Sequence, residues 1–268
     1  IIHDMGNKVS GFEIGDEVII NPGMNWGNNE NYQSRDFKIL GMPDNGTLAE
    51  FVKVHHNCIY KSPSHLNFEQ SSVLPLAGVT AFRSLFKKAE INKNDNVLIT
   101  GIGGGVASLA LMFAVNSAAK VFVTSGDDRK LQKAISLGAI AGVNYKNNEW
   151  DKKLIGLSEN KINVVIDGTG GESYLKYFYI LNYGGRIVSY GATSGSVPKF
   201  NLHRIFWKQI KLSGSTMGSP NDFAEMMEFI SKKKAEPVID EVFSLENICD
   251  AFRKLNSGSQ FGKIVVAL

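Results

Sequence analysis

The chain has 268 residues, of which 43% are hydrophobic and 21% are charged, a composition typical of a globular protein with one or two domains. Its formal net charge of +3 is too small to indicate a nucleic-acid partner, because the basic residues are scattered along the chain. No apolar run is as long as a membrane-spanning helix, so we expect no membrane partner.

The two cysteines, Cys58 and Cys249, stand far apart in the sequence. This usage is typical of free, buried thiols in a reducing compartment, and we expect a cytoplasmic protein. The chain opens with Ile1 and Ile2, without a basic region or an initiator methionine, so its start is unlike a secretion signal. We expect the sequence to begin inside a domain.

The first part of the chain favours short β-strands. Residues 12–20 predict a Gly-Asp turn that leads into a strand, and residues 48–54, in which apolar and polar side chains alternate, predict another. Residues 24–43 between them are polar and rich in asparagine, and we interpret them as a long loop, a type of segment that is often functional. Asn67 has the side chain of a helix N-cap, and Pro75 is expected to kink or restart the helix that follows.

From residue 96 onwards, strand patterns alternate with helical patterns over short links. Strands are predicted at residues 96–99, 120–124, 139–145, 162–167, 184–191 and 208–213, and helices at residues 108–115, 127–137, 150–157 and 173–181. This alternation is typical of an α/β fold, a doubly wound parallel sheet with right-handed crossovers. The tail predicts helices at residues 221–233 and 245–255 and strands at 238–243 and 263–267, and it looks like a return to the first domain.

The turn after the first of these strands is rich in glycine and leads into an apolar helix. Its glycines are Gly101, Gly103, Gly104 and Gly105. A diphosphate approaches the backbone closely only where no Cβ intervenes, and the N–H groups at a helix N-terminus bind anions. The dinucleotide fingerprint is not fully met, because counting from Gly101 puts Val106 at the third glycine position and counting from Ile102 puts Ala107 there. A purely structural glycine turn stays open as an alternative, although the strand at 120–124 arrives where a ribose-binding residue is expected.

Six stretches in a fixed order carry a resemblance to a known family. They are residues 15–18 (Gly-Asp-Glu-Val), 45–50, 74–81, 100–107, 137–139 and 262–265. With them the chain resembles the medium-chain dehydrogenase/reductase superfamily, and within it the zinc-free, quinone-reductase-like branch.

The resemblance implies a division of the chain into three parts. Residues 1–72 would form a GroES-like, β-rich catalytic domain that lacks its N-terminal part, residues 73–216 a Rossmann domain, and residues 217–268 the return to the catalytic domain. It also implies a homodimer that pairs the edge strands of two Rossmann sheets, for which residues 208–214 are the candidate strand.

Two departures from the family pattern concern metal. Members with a catalytic zinc have a cysteine where this chain has Leu76, and members with a structural zinc carry four cysteines in the loop that corresponds to residues 24–43, which has none. Zinc needs thiolate, imidazole or carboxylate ligands. His55 and His56 are adjacent, so on a strand they would point to opposite faces and could not readily chelate one ion. We therefore expect no bound metal.

The expected cofactor is NADP(H). An acidic residue at the end of the second strand would bind the ribose of NAD and repel a 2′-phosphate, and this chain has Ser125 there. The serine hydroxyl can donate to a phosphate, and Arg129 or Lys130 can neutralise it. Asp127 and Asp128 oppose this interpretation, although the helix dipole explains acids in a first turn. The alternative is that Arg129 and Lys130 are only solvated charges of the helix.

Further cofactor contacts are implied by the resemblance alone. Thr80 would face the nicotinamide, Tyr145 would lie by the adenine or the 2′-phosphate, Gly168 and Gly191 would end strands at the cofactor edge, and Phe261 and Gly262 would close over the nicotinamide. Each also has a purely structural explanation, as a buried helix threonine, an aromatic residue at a strand end, or a turn glycine.

The predicted activity is NADPH-dependent transfer of a hydride to a quinone, an enone or a similar small electrophile, without catalytic zinc. Asn25, Trp26 and Tyr32 in the long loop could line the substrate site, although ordinary loop and packing roles also explain them. No residue is identified as the proton donor. Two alternatives stay open: a zinc-type alcohol dehydrogenase, and a nucleotide-binding protein with a structural or regulatory role and no enzymatic activity.

Overall fold

A computed structural model describes residues 1–159, 161–197 and 199–268. Its first part contains four short strands, β1 (Val18–Ile20), β2 (Gly23–Met24), β3 (Lys38–Ile39) and β4 (Ile59–Lys61). β1 pairs antiparallel with β4, and β2 pairs antiparallel with β3. The second pair closes the predicted long loop, so the two ends of this loop are held together.

Residues 48–54 do not form the predicted strand. Leu48 and Phe51 are 58% and 68% exposed, and among the described residues no strand pairs with this segment. Alternation produces a strand only where a neighbour completes the hydrogen-bonded ladder, and this prediction is therefore wrong. The histidine pair is not on a strand either, because a 3₁₀ turn begins at His56.

Two helices precede the large sheet. They are α1 (Phe68–Ser72) and α2 (Pro75–Phe82), and a π-helical segment (Arg83–Lys88) continues α2. The Asn67 side chain accepts a hydrogen bond from the Gln70 N–H, as expected of the predicted N-cap. Pro75 opens α2, where its missing N–H leaves no hydrogen bond unmade, so it restarts the helix.

A parallel sheet of six strands forms the centre of the molecule. Its strands are β5 (Asn96–Ile99), β6 (Lys120–Ser125), β7 (Ala141–Asn144), β8 (Ile162–Asp167), β9 (Leu181–Ser189) and β10 (Lys211–Gly214). The helices between them are α3 (Gly105–Asn116), α4 (Asp128–Ser136), α5 (Trp150–Leu157), α6 (Tyr174–Ile180) and α7 (Leu202–Lys208). The spatial order is β10-β9-β8-β5-β6-β7, which is the strand order of the Rossmann fold.

The sheet is covered on both faces, as its apolar strands predict. Val97 and Ile99 pack into the core on one face, together with α2 and α3, whereas Leu98 between them packs into the core on the other face with α5 and α6. Successive side chains of a strand point to opposite faces, so a strand that is buried throughout requires a helix layer on each side.

The helix α7 was not predicted, and the last strand therefore begins at Lys211 instead of residue 208. The Asn201 side chain caps α7 by accepting from the His203 N–H, a signal that the sequence contained. Within the described residues β10 pairs only with β9, and it is thus the edge strand that was predicted.

The tail consists of α8 (Pro220–Lys233), β11 (Ile239–Ser244), α9 (Ile248–Ser257) and β12 (Lys263–Ala267). α8 packs on α2, and the parallel pair of β11 and β12 contacts α1. The three-part division at residues 72 and 216 stays a prediction. The expectation of buried thiols is wrong for Cys249, which is exposed, while Cys58 is half-buried. Partial burial raises the pKa of the Cys58 thiol.

Candidate functional site

The strand order leaves a crevice between the carboxyl ends of β5 and β8, because the chain runs from β5 to β6 and β7 on one side and from β8 to β9 and β10 on the other. In open parallel sheets this is the position at which ligands bind. Gly101 follows β5 with a positive φ of 61°, and a Cβ atom there would lie 2.9 Å from Thr169 Cγ2 in the loop after β8. The two loops therefore meet at this crevice, and glycine is required at their contact.

The glycine turn leads directly into α3, whose N-cap is Gly104. Because glycine has no side chain, this N-cap residue accepts no side-chain hydrogen bond from the first-turn N–H groups of the helix. Val106 is partly exposed in this first turn, and Ala107 behind it is buried and lets the helix pack closely on the sheet. The N-terminus of α3 thus presents free N–H donors and the positive end of the helix dipole.

Two lysines extend their side chains into the space that these glycines leave open. A Cβ atom at Gly103 would lie 2.7 Å from Lys130 Nζ, and one at Gly105 would lie 2.6 Å from Lys263 Cδ. Burial lowers the pKa of both ammonium groups. Lys130 donates to the Gly258 carbonyl oxygen. Lys263 was not predicted as a site residue, because the sequence indicated only that it begins a strand. It is also far from the glycine turn in the sequence, so the contact between them leaves no local signal.

The tail also reaches the glycine turn through its backbone. The Gly262 N–H donates to the Gly103 carbonyl oxygen at 3.2 Å. Gly262 has a φ of 102°, and a Cβ atom there would lie 2.5 Å from the Val238 carbonyl oxygen, so no other residue fits. Phe261 is buried, and its N–H donates to Asp240 Oδ1 at 2.9 Å. The structure therefore brings Phe261 and Gly262 to the turn.

Asp167, at the end of β8, ties the loops of the crevice together. This carboxylate is fully buried and accepts from the hydroxyls of Thr100 at 2.7 Å, Thr169 at 2.7 Å and Tyr177 at 2.9 Å, and from the Gly170 N–H at 2.9 Å. Burial, followed by the charge of Asp167, raises the pKa of Tyr177 well above its usual value. Sequence reasoning missed Asp167, although an acid at the end of an apolar strand was a visible signal.

Gly168 and Gly191 lie next to each other on the neighbouring loops. A Cβ atom at Gly168 would lie 2.4 Å from the Tyr190 ring, and one at Gly191 would lie 3.1 Å from the Gly168 carbonyl oxygen. The Tyr190 ring thus covers Gly168, and its burial raises the pKa of the Tyr190 hydroxyl. Gly191 itself is exposed.

The end of β6 gathers most of the residues predicted to contact a 2′-phosphate. Ser125 is buried, and its Oγ accepts from the Asp127 N–H at 3.1 Å. The Arg129 guanidinium donates to both carboxylate oxygens of Asp127, at 3.2 Å and 2.8 Å, and these bonds lower the pKa of Asp127 to about 2. The Tyr145 hydroxyl lies beside Gly126. Lys130 is not in this group, because its side chain turns towards Gly103.

A cavity of about 470 Å³ opens at the carboxyl ends of β9 and β10. Residues of the long loop line it, among them Trp26 and Tyr32, and so do Tyr190, Gly191 and Ser215. Its volume is in the range of small-molecule sites. Trp26 is buried and its Nε1 donates to the Asn29 carbonyl oxygen at 2.9 Å, while Tyr32 is exposed.

Asn25 does not line this cavity. It has a φ of 58°, and its carbonyl oxygen accepts from Ser34 Oγ at 2.7 Å, so it serves the shape of the loop. Thr80 lies buried in α2, where its hydroxyl donates to the Leu76 carbonyl oxygen at 2.8 Å and lies 4.0 Å from Met217 Sδ. The structure therefore gives Thr80 the hydrogen bond of an ordinary helix threonine.

Arg83 fastens the long loop to the helices α2 and α8. Its guanidinium is buried, pairs with Asp222 of α8, donates to the carbonyl oxygens of Glu30 at 2.9 Å and Asn31 at 2.8 Å, and lies 4.9 Å from the centre of the Trp26 ring. One side chain thus holds α2, α8 and the loop that forms one wall of the cavity.

The argument against zinc that used His55 and His56 is corrected by the fold. At the 3₁₀ turn the two rings lie side by side with centroids 4.5 Å apart, because the segment is not a strand. Across residues 1–159, 161–197 and 199–268, no three His, Cys, Asp or Glu side chains come together as a metal site would need. In the same residues, no helix combines the length and the apolar composition required to cross a membrane.

Two family profiles match the chain. The profile described as zinc-binding dehydrogenase matches residues 105–232, and the one described as alcohol dehydrogenase GroES-like domain matches residues 1–64. A zinc-type alcohol dehydrogenase-like protein, YogA, from Leptosphaeria maculans is 37% identical over 95% of this chain and 75% of that protein. The chain belongs to the medium-chain dehydrogenase/reductase superfamily.

Other relatives share the fold, and their names refer to different activities. Quinone oxidoreductase-like protein 2 of Bos taurus is 27% identical over 86% of this chain and 69% of that protein. A crystal structure of an NAD-dependent alcohol dehydrogenase is 32% identical and superposes with a TM-score of 0.92 over 99% of this chain and 80% of that one. The fold is thus a Rossmann sheet with a GroES-like domain, and the chain is an oxidoreductase of this superfamily. Membership sets aside the alternative without enzymatic activity.

Proposed function

We propose that this protein is an NADPH-dependent reductase of a quinone, an enone or a similar small electrophile, and that it works without catalytic zinc. The observation that carries the proposal is the N-terminus of α3, where uncapped N–H groups, glycines without Cβ atoms and the side chains of Lys130 and Lys263 converge. Positive charge and free donors at a helix N-terminus are what a diphosphate requires. The residues present therefore fit a dinucleotide.

The two lysines would hold the cofactor at its diphosphate, which is common to NADH and NADPH. On binding, the diphosphate would replace the Gly258 carbonyl oxygen as the acceptor of Lys130. Burial has already removed part of the water around both ammonium groups, so the formation of these charge-assisted hydrogen bonds loses less solvation.

The preference for NADPH rests on the end of β6. A 2′-phosphate there would meet the Ser125 hydroxyl and the Tyr145 side chain, and Arg129 would turn from Asp127 to the phosphate. The Asp127 carboxylate opposes a phosphate at this position, and the positive charge of Arg129, moved to the phosphate, would offset that repulsion. Thr80, Gly168 and Gly191 would border the nicotinamide end.

When bound, NADPH supplies the hydride. The chain's own residues position the reactants: Asp167 holds the loops of the crevice, and the cavity beside Tyr190 and Gly191 receives the electrophile. Trp26 lines this cavity from the long loop and would contribute an apolar wall beside the electrophile. A proton from a hydroxyl or from water completes the reduction.

The test has a binding part and a catalytic part. Titration with NADPH and NADH, followed by protein fluorescence, is expected to give tighter binding of NADPH. Lys263→Met should weaken both cofactors by a similar factor of about tenfold, the loss of one charge-assisted hydrogen bond, whereas Ser125→Ala should weaken NADPH alone. NADPH oxidation with a panel of quinones and enones then measures turnover.

Each failure points to a different part of the proposal. A preference for NADH would overturn the 2′-phosphate site and keep the fold. An equal loss of affinity for NADPH and NADH in Ser125→Ala would also overturn the 2′-phosphate site. Binding of NADPH without reduction of any electrophile would refute the proposed activity, and activity that a chelator removes and zinc restores would favour the alcohol dehydrogenase.

We also propose a cytoplasmic homodimer. Among the described residues β10 pairs only with β9, and the helix α7, which directly precedes β10 in the chain, exposes Phe206 and Trp207, each 63% exposed. Exposed aromatic side chains beside an unpaired strand edge are typical of an interface. A second copy that pairs edge to edge would cover both.

A further inference from the structure

The cavity at the ends of β9 and β10 is positively charged. Arg83 and Lys88 are among its lining residues, and none of the described residues that line it is an aspartate or a glutamate. The charge of Arg83 is already balanced, because this guanidinium pairs with Asp222 and donates to two backbone carbonyl oxygens. Lys88 is therefore the source of the net charge in the cavity wall.

Lys88 is available to a ligand. Its Nζ donates to the Asn31 carbonyl oxygen at 2.9 Å, and in the described parts of the chain no carboxylate forms an ion pair with it. An ammonium group has three donors, so two remain for a partner in the cavity. Partial burial, followed by the nearby Arg83 charge, lowers the pKa of Lys88, and the Asp222 charge opposes this shift without reversing it.

A second, independent feature of the cavity is a buried hydroxyl group. Ser215 is 7% exposed and lines the cavity, and its Oγ has no hydrogen-bond partner among the residues that the structure describes. A buried hydroxyl without a partner costs free energy unless a ligand or water completes it. The described residues of the cavity wall thus include an ammonium group without an ion-pair partner and an unpaired hydroxyl, and they include no acid. Such a wall suits a negatively charged group that accepts hydrogen bonds.

We propose that this cavity binds an anionic group of the substrate, such as a carboxylate, through Lys88 and Ser215, so that the preferred electrophiles are acids. This inference rests on the proposed function, which identifies the reacting group of the substrate as a quinone, an enone or a similar electrophile. It adds that the same substrate carries an anionic group.

The binding test uses a pair of probes that differ in charge and otherwise only by one methyl group. These are 4-oxopentanoate and its methyl ester, titrated by calorimetry into the whole protein without cofactor, so that no reaction takes place. Wild type is expected to bind the acid about tenfold more tightly than the ester, which corresponds to about 1.4 kcal/mol. In Lys88→Met the ratio should fall to about one, and Lys88→Arg, which keeps the charge, should retain a preference for the acid.

Lys87→Met is the matched control. Lys87 is adjacent in sequence and carries the same charge, but its Nζ pairs with Glu225 at 2.7 Å and does not line the cavity. Its acid-to-ester ratio should equal that of wild type. A wild-type ratio of one or less would overturn the inference, and so would a ratio that Lys88→Met leaves unchanged or that Lys87→Met lowers equally.

The reaction is tested separately with (E)-4-oxopent-2-enoate and its methyl ester, whose reduction by NADPH adds a hydride and a proton across the carbon–carbon double bond. If neither compound nor any quinone is reduced, the proposed function fails, while the binding ratio still decides the anion site. If both are reduced equally well and bind equally well, the anion site fails and the reductase remains.

Discussion

Arg83 offers the sharpest test of how the candidate site is held together. Its side chain is 3% exposed and that of Asp222 is 4% exposed, so their ion pair is shielded from water. Arg83→Met removes this pair and the hydrogen bond to the Glu30 carbonyl oxygen, and it leaves the Asn31 carbonyl oxygen with Lys88 as its donor. Removal of one partner of a buried pair costs about 3–5 kcal/mol, because the other charge stays buried and uncompensated.

The assay is urea unfolding of four proteins: wild type, Arg83→Met, Asp222→Asn and the double variant. Asparagine can still accept from the Ser219 N–H, the cap bond that Asp222 accepts at 2.8 Å. We expect Arg83→Met to lose about 3–5 kcal/mol, and the double variant to lose less than the sum of the two single changes, since it contains no unpaired charge. Arg83→Lys should give an intermediate loss, because an ammonium cannot span three acceptors.

A loss below about 1 kcal/mol for Arg83→Met, the value of an exposed pair, would refute this reasoning. So would additive losses in the double variant, which would mean that the two side chains act independently. Arg83→Lys also guards against a variant that fails to fold, because it retains the charge.

Three further predictions address other parts of the molecule. Gly168→Ala would bring its Cβ to 2.4 Å from the Tyr190 ring and should lower the free energy of unfolding by about 1–3 kcal/mol, which Tyr190→Leu should partly restore; an unaffected single variant would contradict the packing. The pKa of Asp127 is about 2 and should rise towards 3.8 in Arg129→Met, as measured by NMR. Because this pKa is lowered in the folded state, its stabilising effect is complete above pH 3.8 and is lost as the pH falls towards 2; an unchanged pKa in the variant would contradict the pairing. Phe206→Glu should convert a dimer into a monomer in analytical ultracentrifugation, and a dimer that persists would exclude α7 from the interface.

Much of the large sheet could be predicted from residue patterns. β8 (Ile162–Asp167) and α5 (Trp150–Leu157) have the predicted bounds, because a strand buried on both faces and an amphipathic helix leave strong local signals. Residues 48–54 have such a signal and still form no strand, since pairing depends on a neighbour. α7 was missed because its exposed aromatic residues do not repeat like those of a helix with a buried face.

The candidate site also has a part that could be predicted from the sequence and a part that could not. The glycine turn could be recognised from a few adjacent residues, since the absence of Cβ atoms and the start of a helix are local properties. Lys263 and Lys88 could not be assigned, because each acquires its role from groups that are distant in the sequence. Lys130 was predicted to serve a 2′-phosphate, and its contacts with the glycine turn became visible only with the tail in position.

The sequence by itself determined the strands and helices of the sheet, the glycine turn and the family, because hydrophobic periodicity and glycine spacing act over a few residues. Only the tertiary structure decided the strand order, and with it the crevice between β5 and β8. It also decided that β12 brings Lys263 to the N-terminus of α3 and that Arg83 brings the long loop to the cavity. These contacts join residues far apart in the chain, and their formation depends on how the layers pack around the sheet.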